Sequence, residues 1–160
     1  VFTVGQQLAD VHRLQHGGSR RAAMAAAVEA LRRVRVPEPE RRVRQYAHEF
    51  SGGMAQRAMI AMAALICRPE LLILDEPTTG LDVTIQAEIM ELIVELCRSR
   101  GLTACLITHD LGVVAETCDA VVVMQSGRVV ETGSTEAIFT RPQHPYTRRL
   151  LAASQLTEAA

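Results

Sequence analysis

Residues 71–76 read Leu71-Leu72-Ile73-Leu74-Asp75-Glu76, four apolar residues followed at once by two carboxylates. A short, wholly apolar run is typical of a buried parallel strand, and the two acids then lie at its carboxyl end. Open α/β sheets bind ligands at that end. Successive side chains diverge, so the acids can have different roles: Asp75 suits holding Mg²⁺ through water, and Glu76 suits orienting an attacking water. The alternative is an acidic strand end that faces solvent.

The residues on both sides of this strand predict an α/β chain with a helical part before the strand. The helices predicted upstream are Val4–Gln15, Arg20–Val34, Glu40–Tyr46 and Met54–Cys67. The elements predicted downstream are helix Val83–Arg100, strand Thr103–Ile107, helix Asp110–Thr117, strands Ala120–Gln125 and Arg128–Glu131, and short helices near Thr135–Phe139 and Pro145–Ala153. Helix 83–100 joins two strands, so the pattern indicates one strand–helix–strand unit.

Composition excludes several classes of function. All 17 basic residues are arginines and Lys is absent, which excludes a P-loop lysine, a Schiff-base lysine and a lysine general base within these 160 residues. A net charge of −1 and 3% aromatic residues argue against nucleic-acid binding. No apolar run approaches the ~18 residues of a membrane span. The four cysteines form no CxxC pair, so we expect reduced core thiols.

Charge is distributed unevenly along the chain. Residues 1–49 hold nine Arg and five acids, whereas residues 50–160 hold eight Arg and thirteen acids. We interpret the early arginines as a solvated helix face. His12 and His16 form an i, i+4 pair without a third ligand close in sequence, so we expect surface residues and no zinc site.

A second candidate site is Phe50-Ser51-Gly52-Gly53-Met54, directly before a predicted helix. The two glycines let an anion approach the backbone N–H groups, and Ser51 adds a hydroxyl. The helix N-terminus contributes a partial positive charge, so the segment can hold a phosphate without a charged side chain. Taken alone, Ser-Gly-Gly favours an ordinary capped helix after a turn.

Two further positions complete the set. Asp82 ends the turn Thr78-Thr79-Gly80-Leu81-Asp82 before a helix, where it could simply be an N-cap. His109 follows the strand predicted over Thr103–Ile107. If the two predicted strands are parallel neighbours, His109 and Glu76 share one sheet edge, although a lone His in such a position is more often structural than catalytic.

In this order and spacing, these motifs resemble the C-terminal part of an ATP-binding-cassette (ABC) ATPase domain, from about Val1 to Ala153. The matching motifs are the signature motif at Phe50–Met54, the Walker B strand at Leu71–Asp75, the catalytic glutamate at Glu76, the D-loop at Gly80–Asp82 and the switch histidine at His109. The resemblance implies a P-loop (RecA-like) fold, with parallel strands and crossover helices preceded by a helical subdomain. It implies Glu76 and His109 as catalytic residues, Mg²⁺ near Asp75 through water, and ATP contacts from Ser51, Gly52, Gly53, Met54, Asp75 and Asp82.

Further stretches are similar to the ATPase subunits of dipeptide and oligopeptide importers. They are His48–Met54, Ile60–Ala63, Asp75–Thr79, Leu81–Gln86 and the tail Arg141–Thr147. Nickel and some glutathione importers share this group, so the cargo stays open. The chain departs from the group at Ala55, where Arg is usual. The resemblance implies a helical subdomain with the signature motif over residues 1–68, part of the ATPase core over 69–140, and the start of a C-terminal extension over 141–160.

The resemblance also implies partners. Two such domains meet head to tail around two ATP molecules, so Ser51, Gly52 and Gly53 would touch ATP bound mainly by a second ATPase subunit. Transmembrane permease subunits, and indirectly an extracytoplasmic substrate-binding protein, are implied, with no nucleic acid. The expected location is peripheral, on the cytoplasmic face of the membrane.

The family's Walker A loop with its Lys, and its Q-loop, are expected upstream of Val1. We therefore expect the parent protein to be an ATPase and the isolated 160 residues to be inactive. Two alternatives remain. One is a non-catalytic module that offers its signature loop to a complete ATPase subunit. The other is an ABC-type ATPase of DNA maintenance, but the tail of this chain favours transport.

Overall fold

A computed structural model describes residues 2–158, in two compact units, Val1–Ile107 and Thr108–Ala160. The first contains α1 (Val4–His16), α2 (Arg20–Arg33), α3 (Pro39–Arg42), α4 (Gly52–Ile60), β1 (Leu71–Asp75), α5 (Val83–Arg100) and β2 (Thr103–Ile107). The second contains α6 (Leu111–Thr117), β3 (Ala120–Gln125), β4 (Arg128–Ser134), α7 (Thr135–Thr140) and α8 (Pro145–Glu158). The segment boundaries predicted after residues 68 and 140 stay predictions, and residues 1, 159 and 160 of those segments lie outside the described residues.

The first unit contains the predicted strand–helix–strand arrangement. β1 and β2 pair in parallel, with Leu71 opposite Thr103 and Asp75 opposite Ile107. The next residue extends the pairing, because the Glu76 N–H donates to the Ile107 carbonyl at 2.9 Å. The α/β prediction with parallel strands is therefore confirmed, and β1 delivers its two acids to the carboxyl end of the pair.

Beside the sheet, the first unit has a helical core. Leu8, Leu31, Val34, Ile89 and Leu92 are fully buried. The helix predicted over residues 54–67 begins as α4 and continues as a π-helical stretch, Ala61–Ile66, which packs against α1 and α2. The His16 Nε2–H donates to the Ile66 carbonyl at 2.7 Å, joining this stretch to the end of α1. Among residues 2–158, no group of three or more His, Cys, Asp or Glu side chains could hold a metal ion.

The helix predicted over Glu40–Tyr46 is wrong beyond Arg42. The chain leaves the helix there because its carbonyls bind the start of α1 instead. The Gly5 N–H donates to the Val43 carbonyl at 2.9 Å, and the Val4 N–H donates to the Gln45 carbonyl at 2.8 Å. These bonds satisfy first-turn donors of α1 that have no acceptor within their own helix.

The expectation that β1 is a buried strand is wrong for one of its two faces. Leu72 and Leu74 are buried, but Leu71 is 50% exposed and Ile73 is 63% exposed. Only one face of β1 is therefore covered. Cys105, on β2, is exposed rather than in the core, and the described cysteines are free thiols as expected.

The second unit is built on an antiparallel hairpin of β3 and β4. Ser126 and Gly127 both have positive φ, as a two-residue type I′ turn requires. β4 runs three residues beyond the predicted end at Glu131, and the Ser134 hydroxyl caps α7 by accepting from the Ala137 N–H. Within residues 2–158, no helix is both long and apolar enough to cross a membrane.

Candidate functional site

A cleft of about 500 Å³ in the first unit brings the second candidate site together with the turn before α5. One wall is the start of α4, with Ser51, Gly52, Gly53 and Met54. The opposite wall is the turn and first helical residues of α5, with Gly80, Leu81, Asp82, Ile85 and Glu88. Two segments that are about 30 residues apart in sequence therefore face one space.

The wall formed by α4 presents backbone donors. Ser51 has extended torsions (φ −65°, ψ 161°), and its hydroxyl accepts from the Met54 N–H at 3.3 Å, so it is the N-cap of α4. The N–H groups of Gly52 and Gly53 lie in the first turn, where a helix offers them no acceptor. Together with the positive end of the helix dipole they suit an anionic oxygen. The capped helix is confirmed, and binding of an anion by its first-turn N–H groups stays a prediction.

Close packing explains the two glycines. A Cβ at Gly53 would lie 2.8 Å from Ile85 Cγ2, and one at Gly52 would lie 3.2 Å from Leu81 Cδ2. A side chain at either position would push the start of α4 away from the turn before α5. The glycines therefore serve the approach of the two walls as well as access to the backbone.

The turn from Glu76 to Asp82 follows β1 and holds the Glu76 carboxylate. Glu76 has φ +48°, a left-handed conformation that costs a non-glycine residue roughly 1–2 kcal/mol. The Thr79 hydroxyl donates to Glu76 Oε2 at 3.1 Å, and the Thr79 N–H donates to the Glu76 carbonyl at 3.2 Å. Backbone strain of this kind is common at functional sites. Asp75, one residue earlier, is exposed at the end of the strand.

Asp82 has a definite structural role. Its carboxylate accepts from the Ile85 N–H at 3.0 Å, so Asp82 is the N-cap of α5. Gly80 lies two residues before Asp82, and its φ of +77° allows the sharp entry into the helix. A contact of Asp82 with ATP stays a prediction.

A contact of Gln86 was not predicted from the sequence. Its side-chain amide Nε2 donates to the Thr78 carbonyl at 3.2 Å and to the Leu81 carbonyl at 3.1 Å. The sequence contains one signal for this contact, the position of Gln86 in the helix. A residue one turn into a helix directs its side chain back towards the helix N-terminus. Gln86 stands at that distance from the cap at Asp82.

Arg57 was missed as well. It is 6% exposed, donates to the Val34 carbonyl at 3.0 Å and pairs with Glu88 Oε2 at 2.5 Å. Another arginine, Arg35, pairs on the surface with Glu91 and Glu95, and the hydrogen bond to Glu91 is the main reason that its pKa is raised. An arginine within the small apolar residues of α4 was the available signal for a paired, buried cation.

His109 lies in the second unit, two residues beyond the end of β2 and next to Asp110, the N-cap of α6. The Asp110 carboxylate accepts from the Val113 N–H at 3.1 Å. The expectation that His109 shares an edge with Glu76 stays a prediction.

Comparison with known proteins identifies the family. Residues 2–79 match the model of the ABC transporter family. The chain is 58% identical over 151 residues to a probable peptide ABC transporter ATP-binding protein, y4tR, of Sinorhizobium fredii, and the match covers 94% of this chain and 45% of that protein. The chain contains an ABC transporter domain. The family match contains Ser51–Met54 and the acids Asp75 and Glu76, and it ends before Asp82 and His109.

A second relative matches nearly the whole chain at similar identity. The glutathione import ATP-binding protein GsiA of Escherichia coli K12 is 56% identical over 153 residues, which are 96% of this chain and 24% of GsiA. The chain thus spans less than half of the length of these two relatives.

Solved ABC structures confirm the fold. One is cbiO1 from Clostridium perfringens, part of the ABC transporter complex cbiONQ, with a TM-score of 0.72 and 32% identity over 98% of this chain and 61% of that one. Another is the ATP-binding cassette MJ0796, a dimer in a post-hydrolysis state bound to ADP and Pi, with a TM-score of 0.72 and 26% identity over 84% of this chain and 57% of that one.

Proposed function

We propose that the chain forms the signature-loop and hydrolytic part of an ATP-binding subunit that energises a peptide importer. The observation that carries the proposal is the packing of a glycine-rich helix start, at Ser51–Gly53, against the turn that follows the acids of β1. Both features have the chemistry that phosphoryl transfer needs, namely backbone donors for phosphate oxygens and carboxylates for metal and water.

The residues that bind phosphate at the start of α4 are Ser51, Gly52, Gly53 and Met54. The first-turn N–H groups supply donors but no unit charge, and the two arginines that line the cleft, Arg35 and Arg57, are paired with glutamates. Such a cradle suits a nucleotide whose phosphates are also held elsewhere, and we infer that the ATP is bound mainly by a second ATP-binding subunit. The dimeric state of MJ0796 with ADP and Pi supports this arrangement.

Hydrolysis falls to the end of β1 and to His109. Asp75 fits Mg²⁺, because its exposed carboxylate offers the oxygen ligands this ion prefers, usually through water. Mg²⁺, when bound, neutralises charge on the phosphate oxygens. Glu76 orients the attacking water, with Thr79 holding one of its carboxylate oxygens. His109 is the second catalytic residue of the proposal, and Asp82 adds an ATP contact from the turn.

The names of two relatives support a peptide-type cargo. One relative is named for peptides and another for glutathione, which is itself a tripeptide. We infer a peptide-type cargo, transmembrane permease subunits as partners, an extracytoplasmic substrate-binding protein that delivers the cargo, and a peripheral position on the cytoplasmic face of the membrane.

The test is Glu76→Gln in the complete product of the reading frame that encodes this chain. Loss of the base should lower ATP turnover by roughly 100-fold or more, since general-base catalysis contributes ~10²–10⁴-fold. The variant should retain bound ATP and accumulate as a closed dimer, which size-exclusion chromatography with nucleotide analysis measures. Glu70→Gln, the same change just before the opposite end of β1, is the control and should turn over ATP normally.

Normal ATP turnover by Glu76→Gln would show that Glu76 does not orient the attacking water. A second arm uses the 160-residue chain alone, which should show no Mg-ATP hydrolysis because it lacks a Lys for the phosphates. Hydrolysis by that chain, abolished by Glu76→Gln, would contradict the shared-site arrangement.

A further inference from the structure

The side chain of Gln86 spans the turn that connects the hydrolytic end of β1 with α5. Its Nε2 donates to two carbonyls, at 3.2 Å for Thr78 and 3.1 Å for Leu81, while its backbone N–H donates to the Asp82 carbonyl at 2.9 Å. Gln86 is half-buried, and Thr78 is 6% exposed. One residue thus binds the turn at three points.

The Leu81 carbonyl depends on the Gln86 side chain for a donor. Leu81 precedes the N-cap Asp82, so its carbonyl accepts no hydrogen bond from the helix ladder of α5. The Thr78 carbonyl accepts from the Leu81 N–H at 3.2 Å and can accept a second bond. Burying a carbonyl without a donor is costly, and Gln86 removes that cost at Leu81 and adds a second bond at Thr78. Its side chain therefore holds both ends of the segment Thr78–Leu81.

Both ends of the clamped segment touch the candidate site. Thr78 adjoins Thr79, whose hydroxyl holds the Glu76 carboxylate. Leu81 packs so close to Gly52 that a Cβ there would lie 3.2 Å from its Cδ2. A shift of the turn would move the carboxylate and the α4 wall relative to each other.

We propose that Gln86 is a positioning residue for ATP hydrolysis, fixing the turn so that Glu76 and the helix start at Gly52 keep a set relative position. The inference rests on the proposed role of Glu76 as the residue that orients water. In this role Gln86 touches no reacting atom, and it acts on Glu76 and Gly52 through Thr78 and Leu81.

Two substitutions isolate the donor. Gln86→Glu keeps the shape but turns the donor into an acceptor that faces two carbonyls, and Gln86→Met keeps the length without any polar group. Gln, Glu and Met have similar helix propensities, so α5 itself should persist. Gln15→Glu, at an exposed position of α1, is the matched control.

The experiment uses the complete product of the reading frame, in its assembled state. Both Gln86 variants should lower kcat about 10- to 100-fold, the size expected for misplaced catalytic geometry, and change the KM for ATP less than about twofold. Hydrogen exchange of the Leu81 and Thr79 amides should accelerate, while exchange in β1 and in the middle of α5 stays as in the wild type. Gln15→Glu should change none of these quantities.

An unchanged kcat, or unchanged exchange at Leu81, would overturn the inference. Accelerated exchange throughout β1 and α5, with kcat and KM altered together, would also overturn it, because that pattern indicates a general loss of structure. Failure of the proposed function looks different: Glu76→Gln would then retain full turnover, while exchange at Leu81 would still report whether Gln86 holds the turn.

Discussion

Contact distance, rather than backbone torsion, requires glycine at position 53. A Cβ there would lie 2.8 Å from Ile85 Cγ2, at the first turn of a helix whose start forms one wall of the cleft. Gly53→Ala should therefore destabilise the protein by about 1–3 kcal/mol, the range for overpacking of a filled site. Urea unfolding, with the midpoint and the m-value fitted together, measures this loss.

The same substitution at the neighbouring glycine, Gly52→Ala, is the control. A Cβ at Gly52 would lie 3.2 Å from Leu81 Cδ2, a contact that a small movement relieves, so Gly52→Ala should cost less than Gly53→Ala. In an Ile85→Ala background the cost of Gly53→Ala should shrink, because the clashing methyl is gone. Equal costs in both backgrounds would show that the clash is not the cause.

At the scale of single residues, motif letters predict part of the site. Ser51 and Asp82 are confirmed as helix N-caps, a role that depends only on neighbours three positions away. The Gln86 side chain binds backbone carbonyls, which every residue carries, and Arg57 binds one in addition to Glu88. Residue types therefore do not indicate which carbonyl is met, and these contacts become visible only in the folded turn.

At the scale of elements, burial separates two arginines that both pair with α5. Arg57 is 6% exposed and bridges the Val34 carbonyl and Glu88, so it joins α4 to the end of α2 and to α5. Arg57→Ala leaves that carbonyl without its donor and should cost about 1–3 kcal/mol. Arg35 pairs with Glu91 and Glu95 while nearly half exposed, and Arg35→Ala should cost less than about 1 kcal/mol.

Chemical unfolding at low and high salt distinguishes the two arginines. Salt screens exposed pairs more than buried ones, so added salt should shrink the already small effect of Arg35→Ala and leave that of Arg57→Ala largely intact. A loss for Arg57→Ala no greater than that for Arg35→Ala would refute the bridging role of Arg57.

A second element-scale prediction concerns the start of α8. The Glu131 carboxylate on β4 accepts from the Gln143 N–H at 2.7 Å and from the His144 N–H at 3.1 Å. The Thr147 hydroxyl, the largest influence, and these two N–H groups lower the pKa of Glu131. Since the folded pKa lies below the unfolded one, the stabilisation is present above the unfolded value, about pH 4.3, and is lost as pH falls through the folded value.

Glu131→Gln should therefore lower the unfolding temperature at pH 7, and the difference from wild type should shrink on acidification below about pH 4. Thermal unfolding of both proteins across this range measures it, and Glu136→Gln, an exposed charge removal on α7, is the control. A difference that stays constant down to the acid limit would mean that the charge of Glu131 does not anchor α8.

Element bounds were predictable where their end signals are local. α5 is confirmed at both ends, Val83 and Arg100, because the cap Asp82 and the left-handed Gly101 adjoin them. The helix predicted over Glu40–Tyr46 fails beyond Arg42 for the opposite reason, since the carbonyls that end it bind N–H groups about 40 residues away. Pattern alone does not contain that competition.

At the scale of the whole molecule, one face of the β1–β2 sheet exposes several apolar side chains. Leu71 and Ile73 lie on the same side of β1, opposite Thr103 and Cys105 of β2. Leu71, Ile73 and Ile107 are each at least 50% exposed, and Thr103 and Cys105 are exposed too. An apolar run predicts a strand, but whether one face or both are covered depends on the rest of the fold, which explains why burial of β1 was mispredicted.

This sheet face gives a prediction for the 160-residue chain in solution. Contiguous apolar surface binds hydrophobic dyes and promotes association, and a two-stranded sheet has little of its own to cover it. The chain should bind the dye ANS without denaturant, and Leu71→Thr with Ile73→Thr should reduce both binding and association, since Thr keeps the strand propensity. Leu14→Thr changes a residue that is 86% exposed on α1 and should change neither. Equal ANS fluorescence from the strand double variant and the wild type would place the apolar surface elsewhere.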